Sequence, residues 1–231
     1  MTLPPASLAI PVAFLFGSIP TGLLIGRAKG IDIRAHGSGN IGATNVGRVL
    51  GKPYFFLCFA CDFLKSFVPV LLCGWLLGQL GRFDIPSPDS WVWLAAMLAA
   101  VLGNVFNPWL GFKGGKGVAT SIGALMGVFP VLALPGLTAF IVWFCVFKAR
   151  RYVSLASIAA GAALPLAAVA QGAVVSRNNG AFDQSALLRA LPFIGICAFL
   201  AALVVWTHRA NIRRLRDGTE PKAGSPSPAR A

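Results

Sequence analysis

The stretch from His36 to Gly51, HGSGNIGATNVGRVLG, concentrates small residues that expose backbone N–H groups or carry short donors. Ser38, Gly39, Asn40, Gly42, Thr44 and Asn45 are of this kind. Glycine lets a backbone approach a ligand closely, and successive amides in such turns form a nest for an anion. Arg48 follows Thr44 by four and Asn45 by three, so a helix starting here sets all three on one face. The pattern suits phosphate binding, although Asn and Ser in an ordinary turn-rich loop leave the same letters.

A second stretch, GFKGGKGVATS from Gly111 to Ser121, looks like a Walker A loop and fails as one. That motif needs Ser or Thr after its lysine, whereas Gly117 follows Lys116, with no adjacent strand and no magnesium-binding acid. What remains is a basic turn, Lys113-Gly114-Gly115-Lys116-Gly117, running into an apolar segment from Val118. A helix N-terminus there favours a phosphate, and Thr120 offers a hydroxyl. The plain alternative is a tight loop carrying two lysines.

In the third stretch, HRANIRRLRDGTEPK, helical spacing sets His208, Asn211 and Leu215 on one stripe and Arg209, Arg213 and Arg216 on another. A basic helix beside a membrane is commonly a lipid anchor, which accounts for the arginines but not for an inward His–Asn pair. Glu220 has many arginines to pair with and reads as structural. Asp62 and Lys65, spaced i and i+3 inside an apolar run, are costly unless they neutralise each other, so a structural ion pair is the first reading. Ser154 and Ser157 suit helix capping or close packing. Cys58 and Cys61 lack the second pair or histidine of a zinc site, so neither metal nor cofactor is expected.

The elements that position these residues follow from composition. The chain is 56% apolar and 12% charged, with runs of about 20 apolar residues, the length that crosses ~30 Å of hydrocarbon. It reads as an all-α integral membrane protein. Helices are expected near 5–26, 54–80, 91–112, 118–128, 131–147, 152–175 and 187–207. Segment 117–147 is too long for one crossing and too short for two full ones, so two short helices are expected there, with Pro130 and Pro135 as breakers. The first apolar run has no preceding Lys or Arg and reads as a retained helix.

Basic residues cluster at 27–52, 113–116, 148–151 and after Trp206, while 81–90 and 176–186 hold acids with few cations. The positive-inside rule then gives seven transmembrane helices, the N-terminus outside and the C-terminus cytoplasmic. Residues 1–222 form a single membrane domain, and 223–231, AGSPSPARA, read as a disordered tail. The net charge of +13 admits nucleic acid, anionic lipid or an anionic substrate as partner.

Taken together and in order, these motifs resemble one family, the bacterial acyl-phosphate:glycerol-3-phosphate acyltransferases. GSIPTGLLIGR and GSGNIGATNVGRVLGK resemble its first block, GFKGGKGVATSIG its second, and RYVSLASI and HRANIRRLRDGTEPK its last two. The resemblance implies a seven-helix enzyme of the plasma (inner) membrane, with its active site on the cytoplasmic face. It would move a fatty acyl group from acyl phosphate to the 1-hydroxyl of glycerol 3-phosphate, giving lysophosphatidic acid and inorganic phosphate. It implies roles for Ser38, Arg48, Lys116, His208 and Asn211, phosphate contact by the glycine-rich loop, and a structural Glu220, without cofactor or nucleic acid.

The chain departs from the family pattern at Asn104 and Asn107, where the family shows His and Pro, and at Ser66 and Ala210. Two anionic substrates bring about four charges, which need several cations and N–H donors. Arg48, Lys113 and Lys116, with His208 or Arg209, supply them. Two rival classes share these features: a transporter of an anionic phosphate compound, and a non-catalytic lipid-surface scaffold. A transporter needs a polar site near the midplane that opens to both sides, whereas these motifs gather on one face.

Overall fold

The computed structural model describes residues 5–85, 87–177 and 183–224. Among them, all regular structure is helical. The first apolar run is broken: α1 (Ala9–Gly17) and α2 (Thr21–Arg27) are separated by Ser18, Ile19 and Pro20. Pro20 disfavours helical backbone at Ile19, so Ile19's carbonyl leaves the helical ladder, accepts from the Thr21 amide at 3.0 Å and keeps its second lone pair for another partner. A short amphipathic α3 (Ala43–Leu50) follows, and Gly51, at φ 99°, turns the chain into the long α4 (Lys52–Leu76). Then come α5 (Ser87–Val105), α6 (Val118–Gly127), α7 (Ala133–Arg150), α8 (Val153–Arg177), α9 (Gln184–Thr207) and α10 (Arg209–Arg216).

Six segments among the described residues are long and apolar enough to cross a membrane. They are Ala6–Arg27, Lys52–Leu76, Pro88–Leu110, Ala133–Arg150, Val153–Arg177 and Gln184–Thr207. Segment 117–147 holds two helices close to the expected bounds, α6 of 10 residues and α7 of 18, the second running on to Arg150 and long enough to cross a membrane. Pro130 separates them as expected, whereas Pro135 lies in the first turn of α7, where its missing N–H costs no hydrogen bond. The tail is tied further than expected, since the Ala223 amide donates to Arg151 O at 2.8 Å; residues 225–231 lie outside the described residues.

The packing inverts that of a soluble protein. Leu64, Leu72, Phe140, Ile141, Leu166 and Phe199 are exposed, facing what would be lipid. Small residues bring the helices together instead, as expected where hydrocarbon outside is as apolar as the interior. Gly17 of α1 lies against the backbone of Ala100, and Gly103 of α5 against that of Phe14. α4 is the central element, packed on α1, α3, α5 and α6, while α7, α8 and α9 pack in succession.

Three chain breaks meet beside the middle of α4: the gap between α1 and α2, the end of α5, and the start of α6. Two rulers locate this level. From Lys65 to the α4 terminus at Leu76 the helix rises about 17 Å, and α6 rises about 15 Å at 1.5 Å per residue. The far end of α6 is fixed near the end of α4, since the Gly81 amide donates to Phe129 O at 3.3 Å.

A methyl group at Gly103 would collide with the Phe14 carbonyl, whereas one at Gly195 of α9 meets nothing within 4 Å. Gly103→Val should therefore cost about 1–3 kcal/mol by overpacking. It should melt several degrees early in detergent, with Gly195→Ala unchanged or slightly improved. Equal melting of the two variants would contradict the packing described.

Candidate functional site

The site starts from a buried lysine. Lys65 Nζ pairs with Asp62 Oδ1 at 2.6 Å, as their spacing anticipates. It also donates to Ile19 O at 2.7 Å and to Asn104 Oδ1 at 2.9 Å. Three protons meet three acceptors, the condition under which a buried ammonium is tolerated. Asp62 in turn accepts from Thr21 Oγ1 of α2. Ser66 Oγ, one residue on, donates to Thr120 O at 2.8 Å and binds α4 to α6.

Asn104 carries the basic loop. The amides of Gly114 and Gly115 donate to Val105 O and Asn104 O, both at 3.0 Å. A Cβ on Gly114 would overlap Asn104 O, so only glycine fits. These two amides therefore satisfy the C-terminal carbonyls of α5 and are committed within the fold, whereas the sequence reading sets them toward a phosphate. Asn107, fully buried, holds the other flank through Ser18 O, and its Oδ1 accepts from the Trp109 amide at 3.1 Å. Thr120 is buried in α6 rather than set at the loop's open side. The free amides lie later: Gly117, at φ 76°, caps α6, and Ser121 is the first amide to bond back, to Gly117 O at 2.7 Å. Those of 117–120 have no acceptor among the described residues.

From this loop Lys116 reaches across to α10. Its Nζ donates to Asn211 Oδ1 at 2.6 Å, and Asn211 Nδ2 donates to Glu220 Oε1 at 2.7 Å. Ser154 Oγ reaches the same carboxylate oxygen at 2.6 Å, and Arg214 Nε reaches Oε2 at 2.7 Å. Burial pushes the Glu220 carboxyl up, but these three hydrogen bonds together hold it below its ordinary value. Asn211 is thus a bridge with both ends committed. Burial lowers Lys116 to about 8, with the charges of Arg214 and Arg48 lowering it and that of Glu220 opposing them.

His208, 2% exposed, caps α10. Its Nδ1 lies 2.8 Å from Val204 O, an acceptor only, so Nδ1 carries the proton and Nε2 keeps its lone pair. Burial, then the Lys116 charge, push this imidazole down to about 4, so it is neutral at pH 7.

The first motif is organised by one side chain. Asn45 Nδ2 donates to Ile33 O at 3.2 Å and His36 O at 3.1 Å, and its Oδ1 accepts from the Ser38 amide at 2.8 Å. With both Nδ2 protons and its Oδ1 turned inward, Asn45 shapes the loop. Asn40 Oδ1 holds the Gly42 amide at 2.9 Å, at the N-cap of α3. Ser38 and Thr44 are exposed, and Gly39 lies between them at φ 71°. Arg48 lies near enough for its charge to act on Lys116 and has no hydrogen-bonded partner among the described residues.

The structure thus gathers Arg48, Lys116, His208, Asn211, Glu220 and Arg214. It leaves Lys113 exposed at the loop's edge and turns Arg209 away: that guanidinium lies 4.8 Å over the Trp206 ring and donates to Trp206 O at 3.1 Å. Sequence reasoning treated Ser154 as a cap and Asn104 as a departure; both support the cluster. No group of three metal-binding side chains occurs among the described residues.

The sequence profile described as Glycerol-3-phosphate acyltransferase matches residues 7–218. The chain is 46% identical to the glycerol-3-phosphate acyltransferase of Geobacter sulfurreducens, covering 90% of this chain and 93% of that one. It is 42% identical to that of Aquifex aeolicus, covering 90% and 94%. Among solved structures it resembles PlsY (YgiH), an integral membrane glycerol 3-phosphate acyltransferase, in its glycerol 3-phosphate form. The TM-score is 0.73 at 39% identity, over 95% of this chain and 96% of that one. The lysophosphatidic acid form matches with TM-score 0.73 at 38% identity, over 94% of each chain.

Lys116, its pKa lowered to about 8 by burial, is protonated below that pH, so anion binding at the loop should weaken as pH rises through that value. Calorimetric titration with inorganic phosphate between pH 7.5 and 9.5, where the dianion predominates, should show this loss. Lys116→Arg should flatten it. Glu220→Gln, which removes the charge that favours the protonated lysine, should move the break to lower pH. Constant affinity across the range would exclude Lys116 from anion contact.

Proposed function

We propose, given that the chain belongs to the glycerol-3-phosphate acyltransferase family, that it uses acyl phosphate as donor. The acyl group passes to the 1-hydroxyl of glycerol 3-phosphate, giving lysophosphatidic acid and inorganic phosphate. The single observation that carries this reading is the surplus of positive charge gathered around the basic loop and α10. Glu220 is already paired with Arg214, while among the described residues Arg48 has no acid and Lys116 has only a neutral amide. Such a cluster needs anions to complete it.

In this reading Arg48, Lys116 and the free amides at the start of α6 hold the phosphate groups, with Ser38, Gly39, Asn40, Thr44 and Lys113 at the rim. Acyl phosphate is a mixed anhydride with a good leaving group, so the substrate hydroxyl attacks the acyl carbon directly. The C–O bond to phosphate breaks as the new ester forms, and the cations stabilise the departing charge. The hydroxyl proton goes to the donor's phosphate or to Nε2 of neutral His208. Asn211, Glu220 and Ser154 position Lys116. The acyl chain stays in the apolar surroundings of the helices. The charge pattern supports an outer N-terminus and a cytoplasmic site in a bacterial inner membrane.

Phosphate release from acyl phosphate should be measurable with purified protein in detergent, dependent on glycerol 3-phosphate. Arg48→Ala and Lys116→Ala, each inserted normally, should lose at least about 100-fold in kcat/KM, the scale of a lost charge-stabilising donor. His208→Gln should alter the pH–rate profile if His208 is the base; an unchanged profile assigns the proton to phosphate. No release without sealed vesicles would favour the transporter.

A further inference from the structure

The buried face of α10 belongs to the site just described, but its opposite face is unused by it. Arg209, Arg213 and Arg216, at i, i+4 and i+7, form one exposed stripe. Neither Arg213 nor Arg216 has an acid partner among the described residues; the salt bridge of this segment belongs to Arg214. Below the stripe lies an open groove lined by Val205, Trp206 and Ile212 together with the three arginines. Its aromatic wall is extended across to α5, since the rings of Trp206 and Phe106 stand 5.6 Å apart. Trp206 is 47% and Phe106 36% exposed, so this wall is open to the surroundings.

We propose that this groove binds the headgroup of an anionic phospholipid of the bilayer. The chemistry of its parts selects such an occupant. Guanidinium groups grip phosphate oxygens through paired N–H donors, and more tightly than they would grip a zwitterion with its own compensating amine. The Trp206 ring, with Arg209 over it, suits the boundary between acyl chains and headgroups. Val205 and Ile212 continue the apolar surface of the helix end, against which the first carbons of an acyl chain lie. A free phosphate would gain nothing from that apolar floor, and a protein partner would have to displace lipid from it. The site is separate from Lys116 and His208, so it does not depend on the acyl-transfer reading.

Native mass spectrometry of the full-length protein in detergent micelles tests this, using added phosphatidylglycerol or phosphatidylcholine. The wild type should retain phosphatidylglycerol at least about fivefold better, and each arginine should contribute about a fivefold factor. R213Q/R216Q should therefore lose roughly 25-fold in phosphatidylglycerol binding, with little change for phosphatidylcholine. Should that variant melt early, the wild type read against sodium chloride replaces it: headgroup binding by exposed charges falls with salt. Equal retention of the two lipids, wild-type retention by R213Q/R216Q, or salt-independent binding overturns the proposal. So does displacement of the lipid by glycerol 3-phosphate, which would assign the groove to the substrate site. Acyl transfer measured in lipid-free detergent runs in parallel; its absence with lipid retention intact would count against the enzyme reading alone.

Discussion

The ammonium of Lys65 is the constraint on which the remaining structure depends. It lies within the apolar run of α4, where an unpaired charge costs roughly 2.5–3.5 kcal/mol or more. Its three protons take the Asp62 carboxylate one turn away on the same helix and dictate where two other chain segments go: the Ile19 carbonyl in the break before α2, and the Asn104 side chain at the end of α5. The Asn104 backbone then captures Gly115, which brings the basic loop to the same place. Replacing Lys65 by an apolar residue would leave Asp62 buried and unpaired, the costly half of such an exchange.

Around this anchor the polar groups divide into those that hold and those that remain open. Asn45, Asn104, Asn107, Asn211 and Glu220 have their hydrogen-bonding capacity largely turned on other parts of the chain. Arg48, Lys116, the first amides of α6 and the Nε2 atom of His208 do not. A rigid inner layer thus presents cations and donors that folding has not consumed. Such preorganisation lets electrostatic stabilisation act without rearrangement at the moment of reaction. The same burial that lowers Lys116 keeps His208 neutral, so one environment sets both a weakened cation and an available lone pair.

Some of this was legible from residue order. The i, i+3 spacing of Asp62 and Lys65 announces their pair, and helical periodicity turns His208 and Asn211 inward together. What periodicity cannot supply is the identity of partners distant in sequence. Gly114 and Gly115 signal close approach, yet the same letters suit an anion nest and a helix cap; the distance from Asn104 decides. Asn45 reads as a donor because nothing local reveals that Ile33 and His36 will claim its amide. α3 and α10 escape an apolar-run reading because both are polar and lie outside the spans. Pro135 misleads because a proline's effect depends on its place within a helix, and the boundary of α7 is set by tertiary packing.

The half-length of α6 has a consequence of its own. At about 15 Å it covers half of the length that crosses a ~30 Å hydrocarbon layer, so in a bilayer the basic loop at its start would lie below the headgroups. Phospholipids carry their ester linkages a short way beneath their phosphates. A site at that depth would let a lipid-borne acyl carbonyl meet a water-soluble alcohol without being lifted out of the leaflet. The newly acylated glycerol would then already stand at the level, and in the orientation, of its neighbours in the leaflet, and could depart by sideways diffusion.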